Sequence, residues 1–492
     1  ENLIGSAFIA APIIWATGNL VLAMNLTALA TCVLCGSGAF FLARPWGLST
    51  PAAFICGLIF AFAPPRFVRL GQLHLTAVQW MPFCLAFLHG YLERLSTPDA
   101  PRTAHPSLEA GGARRDLLLA LACFSLQVLS SGHGAAFLAI AIALLLAWRI
   151  AFGQPIAPVQ WAKDCGATGL YLLAPSVWVM LPYRAAQVDA GLRRGYLSDA
   201  LPQLPDFLAS PSRLHIALNA AVFGRNWNAE ADAFLFPGIL CLVLAIVAVV
   251  TWRRQPLRGD ATWFFAMLAV VSTVVFVSWP IEVWRYIYWL PGFNFIRVPS
   301  RFILLVMLCL AMLGALAFER LTMRRPGRAR GAAAAVLSLV LLIEFSTHPF
   351  TGVPYPLDVP AIDRWLATQP APFAIAEVPV PSIGNLGAYE RHHTTAMLHA
   401  TAHWQKTVHG YSGIRRLLHE QLYEALTAFP DRASIDRLRE VGVTYVVVHT
   451  DAYAPDAWRA VEPRLSQSTD LRFVHAEGAG RVYAIVTPPP ER

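Results

Sequence analysis

The sequence predicts an α-helical polytopic membrane protein of about ten transmembrane helices with a C-terminal extracytoplasmic α/β domain. Of its 492 residues 56% are hydrophobic and only 14% are charged, and the mean hydropathy is +0.50. Soluble domains carry about 25% charged residues. Long charge-free runs fill most of the chain, and a polar segment closes it. These observations exclude a soluble enzyme, a fibrous protein and a disordered chain.

Each predicted transmembrane helix corresponds to a run without Asp, Glu, Lys or Arg. A bilayer core of about 30 Å needs about 20 apolar helical residues, and a charge at its centre costs roughly 2.5–3.5 kcal/mol. The runs that meet or approach this length are 20–43, 51–65, 75–92, 117–131, 134–148, 165–183, 233–252, 261–281, 302–318 and 331–343. Residues 3–16 are too short to span, and we expect an interfacial helix there.

The basic residues indicate the orientation of the chain. The runs 117–131 and 134–148 are interpreted as a hairpin, because a single crossing would scatter the basic clusters over both sides. With ten crossings, one side receives fifteen basic residues in short connections, namely Arg44, Arg94, Arg102, Arg114, Arg115, Arg149, Lys163, Arg253, Arg254, Arg258, Arg320, Arg324, Arg325, Arg328 and Arg330. We take this side as cytoplasmic, which places the C-terminal domain outside a bacterial inner membrane.

The domain organisation follows from a change of composition after the last run. We predict a transmembrane helical domain over 1–345, a Pro-rich linker with little regular structure over 346–370, and an extracytoplasmic α/β domain over 371–492. Within the last domain the pattern predicts strands over 373–380, 443–449, 472–475 and 481–486, and helices over 415–429 and 433–441.

Two motifs that could bind metal or react in redox chemistry have simpler interpretations. The histidines of residues 392–409 do not have the spacing of a zinc site, and they are interpreted as surface or domain-docking residues rather than ligands. Cys32 and Cys35 form a C-x-x-C pair inside an apolar run, where packing is the simpler role. We predict no metal site and no cofactor, with a divalent cation left open as an alternative.

Basic residues also concentrate in two predicted outer connections. Arg66, Arg69 and His74 lie in the first, and Arg297 and Arg301 lie in the second. Arginine at this depth can extend to lipid headgroups. Alternatively, these residues converge on a phosphate, because the guanidinium fork matches phosphate oxygens bidentately.

Several segments resemble bacterial polytopic proteins of the GT-C glycosyltransferase superfamily. They are residues 1–5 (ENLIG), 17–23 (TGNLVLA), 60–67 (FAFAPPRF), 79–82 (QWMP), 296–302 (IRVPSRF), 409–413 (HGYSG) and 445–449 (YVVVH). The resemblance implies transfer of a sugar from a polyprenyl-phosphate-linked donor to a lipid or glycan acceptor on the outer face, by inversion. Membrane lipids are the other partners that we expect, and nucleic acid is not one.

The resemblance also implies an acidic catalytic residue, which we expect upstream of Glu1 in a chain truncated at its start. The catalytic residue in the sequence given is therefore unknown. Arg66, Arg69 and His74 are assigned to the donor phosphate, with Arg297 and Arg301 as helpers. Four outer acidic residues are interpreted as solvated or Arg-paired loop charges, namely Asp189, Asp199, Asp206 and Glu282. A non-catalytic scaffold and a lipid-linked glycan flippase remain the alternatives.

Overall fold

The structure, a computed structural model, forms two compact units, Glu1–Phe350 and Thr351–Arg492. It describes residues 3–96, 112–152, 158–189, 196, 201–224, 233–254, 259–290, 293, 295–348, 355–382, 384–411 and 417–486. In the part that is described, the first unit is built from helices and the second surrounds a five-stranded sheet.

The helices of the first unit follow the apolar runs. They are α1 Ile4–Thr17, α2 Leu20–Ala43, α3 Thr50–Phe62, α4 Pro64–Phe67, α5 Leu73–Thr76, α6 Trp80–Ser96, α7 Ala113–Ser130, α8 Gly132–Phe152, α9 Pro158–Asp189, α10 Arg213–Phe223, α11 Ile239–Val250, α12 Gly259–Phe276, α13 Trp284–Ile287, α14 Ile303–Thr322 and α15 Gly327–Phe345. The run 117–148 is divided into α7 and α8 by the extended Ser131, as the hairpin interpretation requires.

Four helical segments among the described residues are long and apolar enough to cross a membrane. They are Leu20–Ala43, Gly132–Phe152, Pro158–Pro182 and Pro299–Thr322. Other apolar helices are shorter, among them α3, α11 and the Ala261–Phe276 part of α12. The prediction of a multi-pass helical membrane protein with a small C-terminal sheet is confirmed, and the count of ten crossings stays a prediction.

Helix α14 forms the centre of the first unit. Every residue of its most apolar 18-residue window is buried, and the helix packs against α3, α11 and α12. The corresponding window of α8 is only 22% buried. An all-round apolar helix inside the bundle, with apolar outer faces around it, is the arrangement that a lipid environment stabilises.

Close packing of α2 on α3 depends on two glycines. A Cβ atom added at Gly57 would lie 2.6 Å from the carbonyl oxygen of Gly36, and one added at Gly36 would lie 3.3 Å from that of Gly57. The two backbones therefore approach more closely than any side chain would allow, which increases van der Waals contact between the helices.

Buried charges tie the helix ends of the first unit together. Glu344 of α15 accepts hydrogen bonds from the backbone N–H of Ile239 at the start of α11 and from His215 Nε2 at 3.0 Å. Glu319 of α14 accepts from Arg330 Nη2 of α15 at 2.7 Å. Since a buried charge without a partner is costly, these contacts fix the relative positions of the helices.

The second unit contains a mixed sheet with the strand order β2-β1-β3-β5-β4. The strands are β1 Ala374–Val378, β2 Lys406–Thr407, β3 Tyr445–His449, β4 Leu471–Glu477 and β5 Gly480–Ile485. The helices are α16 Ala361–Leu366, α17 Leu386–His399, α18 Leu417–Leu426, α19 Arg432–Glu440 and α20 Pro455–Gln467. β1 pairs in parallel with β2 and β3, and β5 pairs antiparallel with β3 and β4.

The sequence located four of the five strands and missed β2, α17 and α20. Strand β2 has two residues and acquires its strand geometry only by pairing with β1, so no hydrophobic periodicity marks it. Helix α16 lies inside the Pro-rich segment 346–370, for which the sequence indicated little regular structure. It forms because Ile362 and Leu366 pack into the hydrophobic core beneath the sheet.

Candidate functional site

Arg66, predicted to bind donor phosphate, lies in the protein interior. Its Nη1 donates to the carbonyl oxygen of Ala61 at 2.8 Å and to Cys32 Sγ at 3.3 Å. Its Nη2 donates to the carbonyl oxygens of Thr31 and Thr76, both at 3.3 Å. These contacts join α2, α3 and α5, and the structure thereby gives Arg66 a role in holding the turn between α3 and α6.

Arg69 is also fully buried, one helical turn further along the chain. Its Nη1 donates to the carbonyl oxygen of Pro65. A guanidinium group carries five N–H donors and retains its charge in the interior, so it can satisfy several carbonyls of an irregular turn at once. For both arginines, a direct contact with a donor phosphate stays a prediction.

His74 and Arg301, predicted from separate segments of the chain, lie on either side of His133. Arg301 Nη1 lies 3.2 Å from His133 Nε2, and the rings of His74 and His133 are 6.0 Å apart. The Phe295 ring meets His133 edge-to-face at 5.4 Å. The structure therefore joins the two predicted basic connections into one set of residues, His74, His133, Phe295 and Arg301, which we call the outer cluster.

His133 is the member of the outer cluster that the sequence analysis missed as a site residue. It lies in Gly132-His133-Gly134, which was interpreted only as the turn of a hairpin. An arginine can only donate, so Nε2 of His133 is the acceptor in this contact. Glycine on both sides of a histidine was the available signal. Gly134 packs against Gln127 and Val78, and a Cβ atom there would lie 2.4 Å from Gln127 Nε2, so this position requires glycine.

Arg297 lies in the same segment as Phe295 and Arg301 and is half-buried. The segment leads into α14 through a 3-10 turn over Pro299–Phe302, in which Phe302 is buried against Phe137 and Trp284. This anchoring holds the turn that carries Arg301 immediately before α14. The helper role of Arg297 stays a prediction.

Two of the acidic candidates are described by the structure. Asp206 Oδ2 accepts from the backbone N–H of Gln203 at 2.7 Å and so stabilises a local turn, and burial raises the pKa of its carboxyl group. Glu282 is half-buried, and its Oε1 atom has no hydrogen-bond partner among the described residues. Glu1, Asp199 and the side chain of Asp189 lie outside the described residues.

Four of the five histidines of residues 392–409 are buried, so the surface interpretation is wrong for these four, and the domain-docking alternative stays a prediction. His393, His399, His403 and His409 are all buried. His393 and His399 lie in α17, and His403 and His409 follow it. Their ring nitrogens hydrogen-bond to backbone groups and to Tyr423. Among the described residues, no three His, Cys, Asp or Glu side chains are arranged to hold a metal ion.

The cysteine pair agrees with a packing role. Cys32 and Cys35 are buried with free thiols, and Cys32 Sγ accepts from Arg66. All eight cysteines of the chain have free thiols.

Comparison with known proteins gives matches among solved structures alone: no protein-family model and no curated protein matches. The apo form of the Archaeoglobus fulgidus oligosaccharyltransferase is 13% identical over 92% of this chain and 62% of its own, with a TM-score of 0.45. The Archaeoglobus fulgidus oligosaccharyltransferase AglB, in complex with an inhibitory peptide and a dolichol-phosphate, is 14% identical over 92% and 61%, with a TM-score of 0.43.

A third similar structure is ArnT from Cupriavidus metallidurans in the apo state. It is 14% identical to this protein, over 98% of this chain and 87% of its own, with a TM-score of 0.40. The chain spans less than two thirds of the length of the oligosaccharyltransferase.

Proposed function

We propose that the protein is an integral membrane glycosyltransferase that moves a sugar from a polyprenyl-phosphate-linked donor to an acceptor on the extracytoplasmic face. The observation that carries the proposal is the outer cluster. Three segments distant in sequence bring His74, His133 and Arg301 together beside the aromatic ring of Phe295. Cationic and imidazole donors next to an aromatic face suit a phosphate attached to a sugar.

The proposed reaction is a single displacement at the anomeric carbon. The acceptor oxygen forms a bond to this carbon while the bond to the phosphate oxygen breaks, and the leaving polyprenyl phosphate retains the electron pair. Arg301 and His74, the half-buried members of the cluster, stabilise the negative charge that develops on the phosphate. The acceptor proton passes to a carboxylate, as general base catalysis requires.

We assign the general base only as a carboxylate and do not name the residue. The resemblance to GT-C glycosyltransferases implies that this base is an acidic residue. Glu282 is the acidic candidate whose Oε1 is buried without a hydrogen-bond partner among the described residues. A base needs such an uncommitted oxygen, whereas Asp206 uses its carboxylate in a local turn.

A lipid-linked donor is supported by an apolar cleft between α1 and α2. The cleft has a volume of about 180 Å³ and reaches Leu73, the neighbour of His74. Its lining consists of small and aliphatic side chains, with Ser6 and Thr27 as the polar members. Leu73 thus links an apolar cleft to the segment that carries His74. The lining residues are Leu3, Ser6, Ala7, Ala10, Ile14, Leu20, Ala23, Met24, Thr27 and Leu73.

The test is transfer of radiolabelled sugar from polyprenyl-phosphate donors, measured with the full-length protein in liposomes. Arg301→Gln removes the charge but keeps a hydrogen-bonding side chain, and we expect the transfer rate to fall about 100-fold, as for loss of one preorganised donor to a developing charge. Arg253→Gln is the matched control, because Arg253 is exposed and stacks on Trp252 in another segment.

Two results would contradict the proposal. One is equal transfer rates for Arg301→Gln and Arg253→Gln, and the other is the absence of turnover with every donor tested. The thermal unfolding midpoint of each variant, measured in the same detergent, shows whether a loss of rate reflects a loss of folded protein.

A further inference from the structure

The second unit gathers acidic and imidazole side chains at one edge of its sheet. Glu377 lies near the end of β1, His449 ends β3, and His409 follows β2 by two residues. These three strands run parallel, with β1 between the other two. The carboxyl ends of parallel strands meet at the same edge, where open α/β sheets bind their ligands.

Glu377 and His449 form an ion pair at this edge. His449 Nε2 lies 2.8 Å from Glu377 Oε2. Burial alone would raise the pKa of Glu377, but the hydrogen bond from His449 and the charge of His449 lower it to about 2. Burial alone would lower the pKa of His449, but the bond to Glu377 and its charge raise it. The negative charge of Glu377 and the positive charge of His449 therefore neutralise each other.

His409 lies on the inner side of this edge, and both of its ring nitrogens are already hydrogen-bonded, so neither is available to a ligand. The backbone N–H of Glu377 donates to His409 Nε2 at 2.6 Å, so the ring proton lies on Nδ1, which donates to the Tyr423 hydroxyl at 2.7 Å. Burial lowers the pKa of His409 to about 3, and the imidazole is therefore neutral at physiological pH.

Two polar atoms at the edge remain without a hydrogen-bond partner among the described residues. They are Glu377 Oε1 and His392 Nε2. Glu377 is only 6% exposed, whereas the His449 side chain beside it is 30% exposed and His392 is half-buried. The His392 ring stands perpendicular to that of His409 at 4.8 Å. A buried carboxylate oxygen without a donor is costly, and such an atom commonly marks a ligand site.

The chemistry of these atoms defines the ligand. Glu377 Oε1 can only accept, so the ligand must supply a hydrogen-bond donor. A phosphate or carboxylate is negatively charged and would be repelled by Glu377. The charge of Glu377 is already compensated by His449, so a second cation is not required. No three His, Cys, Asp or Glu side chains among the described residues are arranged for a metal ion. A neutral molecule with adjacent hydroxyl groups meets these conditions.

We propose that the carboxyl edge of this sheet binds the vicinal hydroxyl groups of a saccharide, through Glu377 Oε1 and His392 Nε2. The Glu377–His449 pair orients the carboxylate, and His409 and Tyr423 hold the inner wall. This site belongs to the second unit and does not depend on the outer cluster or on the transferase activity proposed above.

The test is saturation-transfer-difference NMR with the full-length protein in detergent micelles. The probes are the methyl glycosides of glucose, galactose, mannose and arabinose, with inorganic phosphate measured in parallel by its effect on the sugar signals. We expect at least one glycoside to show transfer, and phosphate not to compete with it. The Glu377→Gln variant replaces the two acceptor oxygens of the carboxylate with an amide of the same shape. The His392→Ala variant removes Nε2, the second polar atom, and leaves the Glu377–His449 pair in place.

We expect binding to weaken about ten-fold or more in both variants, as for loss of one hydrogen bond to a charged group. Glu424→Gln, an exposed position on α18, is the matched control and should bind as the parent protein does. Three results would overturn the proposal: no transfer to any of the four glycosides, competition by phosphate, or unchanged binding in His392→Ala. Since His392→Ala leaves the Glu377–His449 pair intact, its result holds even if Glu377→Gln fails to fold.

Discussion

At the scale of single residues, similar basic side chains have different environments. Arg66 and Arg69 are fully buried and donate to backbone carbonyls, Arg66 to that of Ala61 in α3 and Arg69 to that of Pro65 in α4. Arg301 is half-buried and meets an imidazole instead. The sequence placed all of them in outer connections, and it could not distinguish the two buried arginines from the half-buried one, because that difference depends on which carbonyls lie nearby.

Arg66→Met tests the structural role. The substitution keeps an unbranched side chain but removes the guanidinium group. It leaves the carbonyls of Ala61, Thr31 and Thr76 without their donor, and we expect a loss of about 3 kcal/mol in the free energy of unfolding. The measurement is the thermal unfolding midpoint in detergent. Arg253→Met, at an exposed position, should change the free energy by less than about 0.5 kcal/mol. Equal midpoints for the two variants would refute the structural role.

At the scale of helices and strands, the strength of the local pattern decided what could be predicted. The charge-free runs predicted the helices because transfer of apolar residues out of water dominates their free energy. Strand β3 was predicted from Val446, Val447 and Val448, which are all buried. Strand β2 and helix α17 were missed: β2 has two residues, and α17 is rich in histidine and threonine, so neither shows a clear hydrophobic period.

The sheet edge makes the second unit sensitive to acid. Burial lowers the pKa of His392 and lowers that of His409 to about 3, below the ordinary histidine value of about 6.5. A histidine that binds protons less readily when folded contributes stability that is complete above its unfolded pKa and is lost as the pH falls. His449 has a raised pKa, and its contribution is complete below pH of about 6.5, so it does not change in that acidic range.

We therefore expect the second unit to lose about 2–3 kcal/mol of stability between pH of about 6.5 and 4.5. Pulse proteolysis of the full chain in urea, at each pH, measures this loss. His409→Gln preserves an acceptor for the Glu377 N–H and removes the titrating group, so its stability should depend less on pH. His348→Gln, at an exposed position of the first unit, should follow the parent protein. A pH-independent parent protein would contradict the expectation.

At the scale of the whole molecule, the chain consists of two compact units whose surfaces differ in polarity. The first unit exposes apolar side chains on several of its helices, and the second has its own hydrophobic core around the sheet. Composition alone predicted this division, since the apolar runs end near residue 343 and a polar segment follows. The side of the membrane on which the second unit lies rests on the distribution of arginine and stays a prediction.

Thiol labelling in intact cells tests this orientation. The native cysteines are buried except for the half-buried Cys165, so a Cys165→Ser background should react weakly with a membrane-impermeant maleimide. Arg432 is 88% exposed in the second unit, and Arg324 is exposed in the connection between α14 and α15. We expect Arg432→Cys to label in intact cells and Arg324→Cys only after permeabilisation. The reverse pattern would invert the topology and contradict the outer location of the proposed site.

The sequence by itself determined the class of protein, the helical runs and most strands, because these depend on local hydrophobic pattern and length. It also placed His74 and Arg301 in separate outer connections. Only the tertiary structure joined them through His133, buried Arg66 and Arg69 in a turn, and assembled Glu377, His392, His409 and His449 at one sheet edge. Such sites arise from contacts between residues far apart in the chain, and local sequence patterns carry no information about which distant segments will meet.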